Sequence, residues 1–87
     1  MTREEIYNKI HNIDVANPDN IINASLSTSE EYNIACEYIK GKLLDAYKSN
    51  NTKLGNKLAK SLFITQQQAL NNLSSTDRLL FIANTMF

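Results

Sequence analysis

The sequence predicts an all-α fold, a small bundle of four to five helices forming one domain over residues 1–87. Three observations lead there. Gly occurs twice and Pro once in 87 residues, too few chain breakers for the tight turns of an all-β chain. Apolar residues recur at spacings of three and four, the period of a helix packed on one side. Ser, Thr and Asn stand before these runs, often with Glu or Gln three residues later, as helix starts require.

The elements follow in order. Thr2-Arg3-Glu4-Glu5 is a capping box, and Ile6, Ile10 and Ile13 then mark one helical stripe. Asn17-Pro18-Asp19 opens a short second helix, because Asn caps and Pro suits a first helical position. Ile21, Ile22, Ala24 and Leu26 are its apolar residues. Ser27-Thr28-Ser29-Glu30-Glu31 offers two overlapping capping boxes for a long helix ending near residue 48. Its stripe is Tyr32, Ala35, Cys36, Ile39, Leu43, Ala46 and Tyr47. Gly41 interrupts it, costs about 1 kcal/mol relative to Ala, and is expected to permit close helix packing. Ser49-Asn50-Asn51 ends it, since Asn tolerates a left-handed cap.

Thr52 is the expected cap of the next helix, with Leu54, Leu58, Leu62, Thr65, Ala69 and Leu73 on one face and Lys53, Lys57 and Lys60 opposite. Phe63 and Ile64 fit neither group. Either they are exposed on a continuous helix, or the helix breaks beside them, as the capping pattern Thr65-Gln66-Gln67-Gln68 would allow. Ser74-Ser75-Thr76 separates a last helix with Leu79, Leu80, Ala83 and Met86 expected inward.

Composition narrows the function. One cysteine, Cys36, excludes an intrachain disulfide and points to a reducing compartment. Met1 to Ile13 is polar without the apolar run of a signal peptide, and no stretch has the length of a membrane span, so a cytoplasmic protein is expected. The net charge of zero hides an asymmetry. Residues 1–37 hold two basic and seven acidic side chains, a net of −5; residues 38–87 hold seven basic and two acidic, a net of +5. Such asymmetry marks a partner surface where the signs stay apart in space, and is neutralised where the halves pack together.

The catalytic inventory is thin. His11 is the single histidine, and Cys36 lies on an apolar stripe where a thiol serves packing. The chain lacks phosphate-binding, dinucleotide-binding, nucleophile-elbow and metal-protease motifs. No catalytic, cofactor-binding or metal-ligating residue is expected, and the chain reads as a non-enzyme. The residues expected to meet a partner are Lys53, Lys57, Lys60, Phe63, Ile64, Gln66, Gln67, Asn71, Phe81 and Phe87. The lysines suit an anionic surface, the amides suit polar recognition, and the surplus aromatics suit a protein contact or a homo-oligomer.

Two resemblances refine this. Lys57 to Gln68, Lys-Leu-Ala-Lys-Ser-Leu-Phe-Ile-Thr-Gln-Gln-Gln, resembles the helix-turn-helix of phage-repressor-like proteins, and Leu79 to Asn84 is similar to the helix that follows it there. Phe63 departs from that family's turn glycine. The resemblance implies a DNA-binding regulator with a degenerate helix-turn-helix at about 54–73, Gln66, Gln67 and Asn71 facing the nucleic acid. In length, long third helix, Asn-rich turn and Leu-rich fourth helix, the chain is also similar to pediocin-type bacteriocin immunity proteins, without a diagnostic residue. That similarity implies a four-helix bundle acting by protein recognition. The first expectation is therefore a small helical protein binding a protein partner stoichiometrically, as a phage- or mobile-element-type regulator, inhibitor or immunity protein. The alternative is the DNA-binding regulator.

Overall fold

The computed structural model describes residues 2–24 and 26–85, and five helices make up its architecture: α1 (Arg3–His11), α2 (Pro18–Asn23), α3 (Ser29–Lys48), α4 (Thr52–Asn72) and α5 (Ser75–Thr85). The all-α bundle is as the periodicity predicts. No strand occurs among the described residues.

The helix starts follow their sequence signals closely. The Glu5 N–H donates to the Thr2 hydroxyl (3.2 Å), and the Asp19 N–H to the Asn17 side chain (3.1 Å). For α3 the residue that caps is Thr28: the Glu31 N–H donates to the Thr28 hydroxyl at 3.1 Å. The Glu31 carboxylate then accepts from the hydroxyls of Ser27 and Thr28, and its second oxygen lies 3.5 Å from Lys9 Nζ on α1. A buried carboxylate needs such partners, and these tie α1 to the start of α3. The cap of α4 is Asn51 rather than Thr52, its side chain accepting from the Leu54 N–H.

The α3–α4 turn is a Schellman motif. Asn50 has φ of 61°. The Asn51 N–H reaches the Ala46 carbonyl (2.8 Å) and the Asn50 N–H the Tyr47 carbonyl (3.1 Å). These bonds satisfy carbonyls that a helix end otherwise leaves without donors. Three residues thus reverse the chain between its two longest helices.

Helix α3 is the centre of the bundle, packed against α1, α4 and α5, while α2 packs on α4. The core gathers Ile10, Val15, Ile21, Leu26, Tyr32, Ala35, Cys36, Ile39, Ala46, Leu58, Ala69, Leu73 and Phe81. Phe81 anchors α5, its ring meeting that of Tyr32 edge to face at 6.2 Å. This corrects two sequence expectations. Leu79, Leu80 and Ala83, expected inward, are exposed, and Phe81, expected at a partner surface, is fully buried. The inward face of α5 is Phe81 and Thr85, one turn apart, where the Thr85 hydroxyl donates to the Phe81 carbonyl and lies 2.6 Å from the Asn33 side chain on α3. Met86 and Phe87 lie outside the described residues.

The two glycines exchange roles. Gly41 is exposed with nothing near its missing side chain, so it permits no close packing. Gly55 does: a Cβ there would stand 2.6 Å from Cδ1 of Tyr47 and 2.7 Å from its Cζ. The Tyr47 ring lies on this gap, and its hydroxyl donates to Asn56 Oδ1 at 2.9 Å, fastening α3 to α4 near the turn.

Candidate functional site: the outer face of α4

Helix α4 is unbroken over its 21 residues, and this decides the geometry of the expected partner residues. The sequence allowed a break at Phe63–Thr65. Instead the Thr65 hydroxyl is buried and donates back to the Ser61 carbonyl at 2.8 Å, as a residue inside a helix does. No residue of the segment has the positive φ that a glycine turn would supply; among the described non-glycine residues only Asn50 does. The helix-turn-helix expected at 54–73 is therefore not formed. Its two halves are collinear turns of one helix roughly 31 Å long.

On that continuous helix Lys53, Lys57, Lys60, Ile64, Gln67 and Asn71 follow one another at spacings of four, three, four, three and four. That is one longitudinal row. Ile64, which the sequence pattern assigned to neither face, continues the lysine row. The lysines, Gln67 and Asn71 are exposed, and Ile64 is half-buried. Phe63 flanks the row and is 61% exposed, far more than a core aromatic. Gln66 falls on the flank of Phe63 and Leu70, is half-buried, and does not join the row. Gln68 and Asn72 are committed internally: the Asn72 amide donates to Gln68 Oε1 (2.9 Å) and to the Tyr32 hydroxyl (3.3 Å).

The charge of the row is not cancelled at close range. The ion pairs among the described residues are Arg3–Glu37 and Lys9–Glu31, both within the acidic stretch 1–37. The sequence holds no Asp or Glu between Asp45 and Asp77. Asp14 approaches Lys57 and Lys60 across a shallow cleft of about 430 Å³ with Asn17 and Pro18, without pairing with either. The acidic and basic halves thus meet along α2 and α4 without forming ion pairs there.

Sequence reasoning missed a second concavity. A groove of about 650 Å³ lies between the α1–α2 connection, the second half of α3 and the first turns of α4. Val15, Ala46 and Leu58 make its apolar floor, and His11, Asp14, Lys42 and Asp45 stand at its polar rim. The His11 ring meets Tyr38 edge-on at 5.4 Å, and Lys42 Nζ lies 5.2 Å from the centre of the same ring. Two carboxylates, one lysine and one imidazole stand together at this rim, a polar lining of mixed character. Its residues come from three separate stretches, and no local pattern could have announced them.

The remaining chemistry is structural. Burial, and secondarily the charge of Glu37, push the Cys36 thiol up to about 12 from an ordinary 9.0. The thiolate, which is the nucleophilic form, is disfavoured at neutral pH. Cys36 belongs to the core and His11 to the groove rim. Among the described residues no three His, Cys, Asp or Glu side chains converge as metal ligands, and no helix is long and apolar enough to cross a membrane. Compared with known proteins, the chain matches no family model, no curated protein and no solved structure.

Proposed function

We propose that this protein is a non-enzymatic helical module that binds a protein partner stoichiometrically through the outer face of α4, as a regulator, inhibitor or immunity protein does. One observation carries this reading: an unbroken face of about five turns combines, among the described residues, lysines without ion pairs, two amides without intramolecular hydrogen bonds, and an exposed aromatic beside a half-exposed Ile. Protein interfaces combine such elements, with an apolar and aromatic centre ringed by polar groups.

The test is site-specific photocrosslinking in the native host, with p-benzoylphenylalanine at position 67 and, as a control, at position 40 on α3. The expected result is one discrete protein adduct from position 67 and none from position 40, and a 1:1 complex when that protein is purified and titrated. Adducts from both positions alike, or none from position 67, would sink the reading.

The DNA-binding alternative is supported by the lysine row alone. With the two-helix element not formed, Lys53, Lys57 and Lys60 would meet phosphates without reading bases. A gel shift with duplex DNA at low salt tests it, since even non-specific binding is electrostatic and must appear there.

A further inference from the structure

We infer that the partner surface is an acidic amphipathic helix: carboxylates in a row matching Lys53, Lys57 and Lys60, followed one turn on by an apolar side chain that covers Phe63 and Ile64. This rests on the protein-binding reading above and specifies the chemistry of its partner.

Charge complementarity selects the sign. Three ammonium groups recur along about 10.5 Å of one helix face, none in an ion pair among the described residues. No carboxylate is available on α4 or either flanking turn. Lys53 stands in the first turn of α4, where the helix dipole already presents partial positive charge. Helices α1, α2, α3 and α5 carry acidic residues at that place. Asp14 shares a cleft with Lys57 and Lys60 but pairs with neither, so the N-terminal half of α4 keeps positive charge that a row of carboxylates would neutralise.

The apolar groups select the class of partner. Ile64 extends the lysine row by one turn and Phe63 stands beside it with most of its ring in water. A phosphate backbone offers these two side chains nothing to bury against. A membrane surface asks for a broad apolar stripe along a helix, whereas the row from Lys53 to Asn71 holds a single apolar residue, Ile64, with Phe63 beside it and the half-buried Leu70 on the flank. A protein helix supplies both features at the required spacing, because its own side chains repeat at three and four residues. Carboxylates at i, i+4 and i+7 with Leu at i+11 reproduce the order Lys53, Lys57, Lys60, Ile64.

The experiment uses the purified full chain and a fluorescent synthetic helical peptide with Glu at i, i+4 and i+7 and Leu at i+11. Its controls are a scrambled peptide of equal composition, a short DNA duplex, and vesicles of phosphatidylcholine with phosphatidylglycerol. The patterned peptide is expected to bind, more weakly as salt rises. Affinity should fall about tenfold in a triple Lys53→Gln, Lys57→Gln, Lys60→Gln variant, from three exposed charge pairs lost, and again about tenfold in Phe63→Ser. All four positions are outward, so circular dichroism of the variants should match the parent. A silent patterned peptide, a scrambled peptide binding equally well, or DNA or vesicles binding where the peptide does not, each overturns the inference. So does salt-sensitive self-association abolished by the triple variant, which would make a second copy the occupant. The two failures are separable: a protein adduct from position 67 with a silent peptide removes the acidic helix and leaves the protein-binding reading standing.

Discussion

Glu31 to Ile39 and Lys40 to Lys48 are consecutive halves of one helix, with apolar residues at helical spacing in both. In the first half Glu31, Tyr32, Ile34, Ala35, Cys36 and Ile39 are all buried; in the second, Ala46 alone is. Leu44 and Tyr47, in the second half, keep more than a third of their surface in water. The difference comes from the neighbours. Side chains of α1 and α5 meet the first half, as in Lys9–Glu31, Phe81–Tyr32 and Thr85–Asn33, while much of the second half lines one side of a groove. Burial along α3 is therefore a property of the assembly and cannot be read from the helix. The well-packed end supplies stability and the thin end supplies surface.

The largest way to break this contrast is Phe81→Ala. It removes a fully buried ring that pins α5 to Tyr32, and core Phe truncations cost about 3–5 kcal/mol. In a domain of this size that is a large share of the whole stability. Urea denaturation followed by circular dichroism should show the midpoint collapse; a loss under about 1 kcal/mol would mean that α5 is not part of the core.

Cys36 tests the same end by pH. Its folded value is raised, so the neutral thiol favours folding fully below pH 9.0. Above that the unfolded chain ionises while the folded thiol stays protonated, and stability falls until about pH 12. The slope expected from this group is about 1.4 kcal/mol per pH unit in that window. Cys36→Ala should flatten alkaline destabilisation relative to the parent, and identical slopes would rule the assignment out. Thiol labelling at pH 8 should likewise proceed only as fast as the protein unfolds.

At the thin end the effects shrink. Gly41→Ala fills open space on an exposed helix surface, and should stabilise by about 0.5–1 kcal/mol, seen as a raised thermal midpoint. Gly55→Ala should leave overall stability within about 1 kcal/mol, since the better helix former offsets the displaced Tyr47 ring and its bond to Asn56. The change would be local: the Tyr47 signal should shift in NMR spectra while those of Tyr32 and Phe81 stay put.

Much of the fold was legible because its signals are local. Thr2, Asn17 and Thr28 cap as their sequence contexts require, and Asn50 takes the left-handed cap. What was not legible depends on neighbours. Leu79 and Leu80 look like a core pair, but the rotation of α5 is set by Phe81 meeting Tyr32, some fifty residues away in sequence. Gly41 and Gly55 are alike in sequence, and only the position of the Tyr47 ring separates them. The lysine row was visible, but its continuation through Ile64, Gln67 and Asn71 was hidden by a capping pattern that Thr65 uses inside the helix. The groove could not be seen at all, being assembled from residues 11–16, 38–49 and 51–58.

The Schellman turn at Ser49–Asn51 also bears on the order in which the molecule forms. The two longest helices are joined by only three residues, so bringing them together costs little chain entropy, and closing so short a loop takes well under a microsecond. The α3–α4 hairpin should therefore dominate the folding transition state, with α5 docking afterwards on a surface the hairpin has already made. Kinetically, truncation at Leu58 would slow folding, while truncation at Phe81 would chiefly speed unfolding.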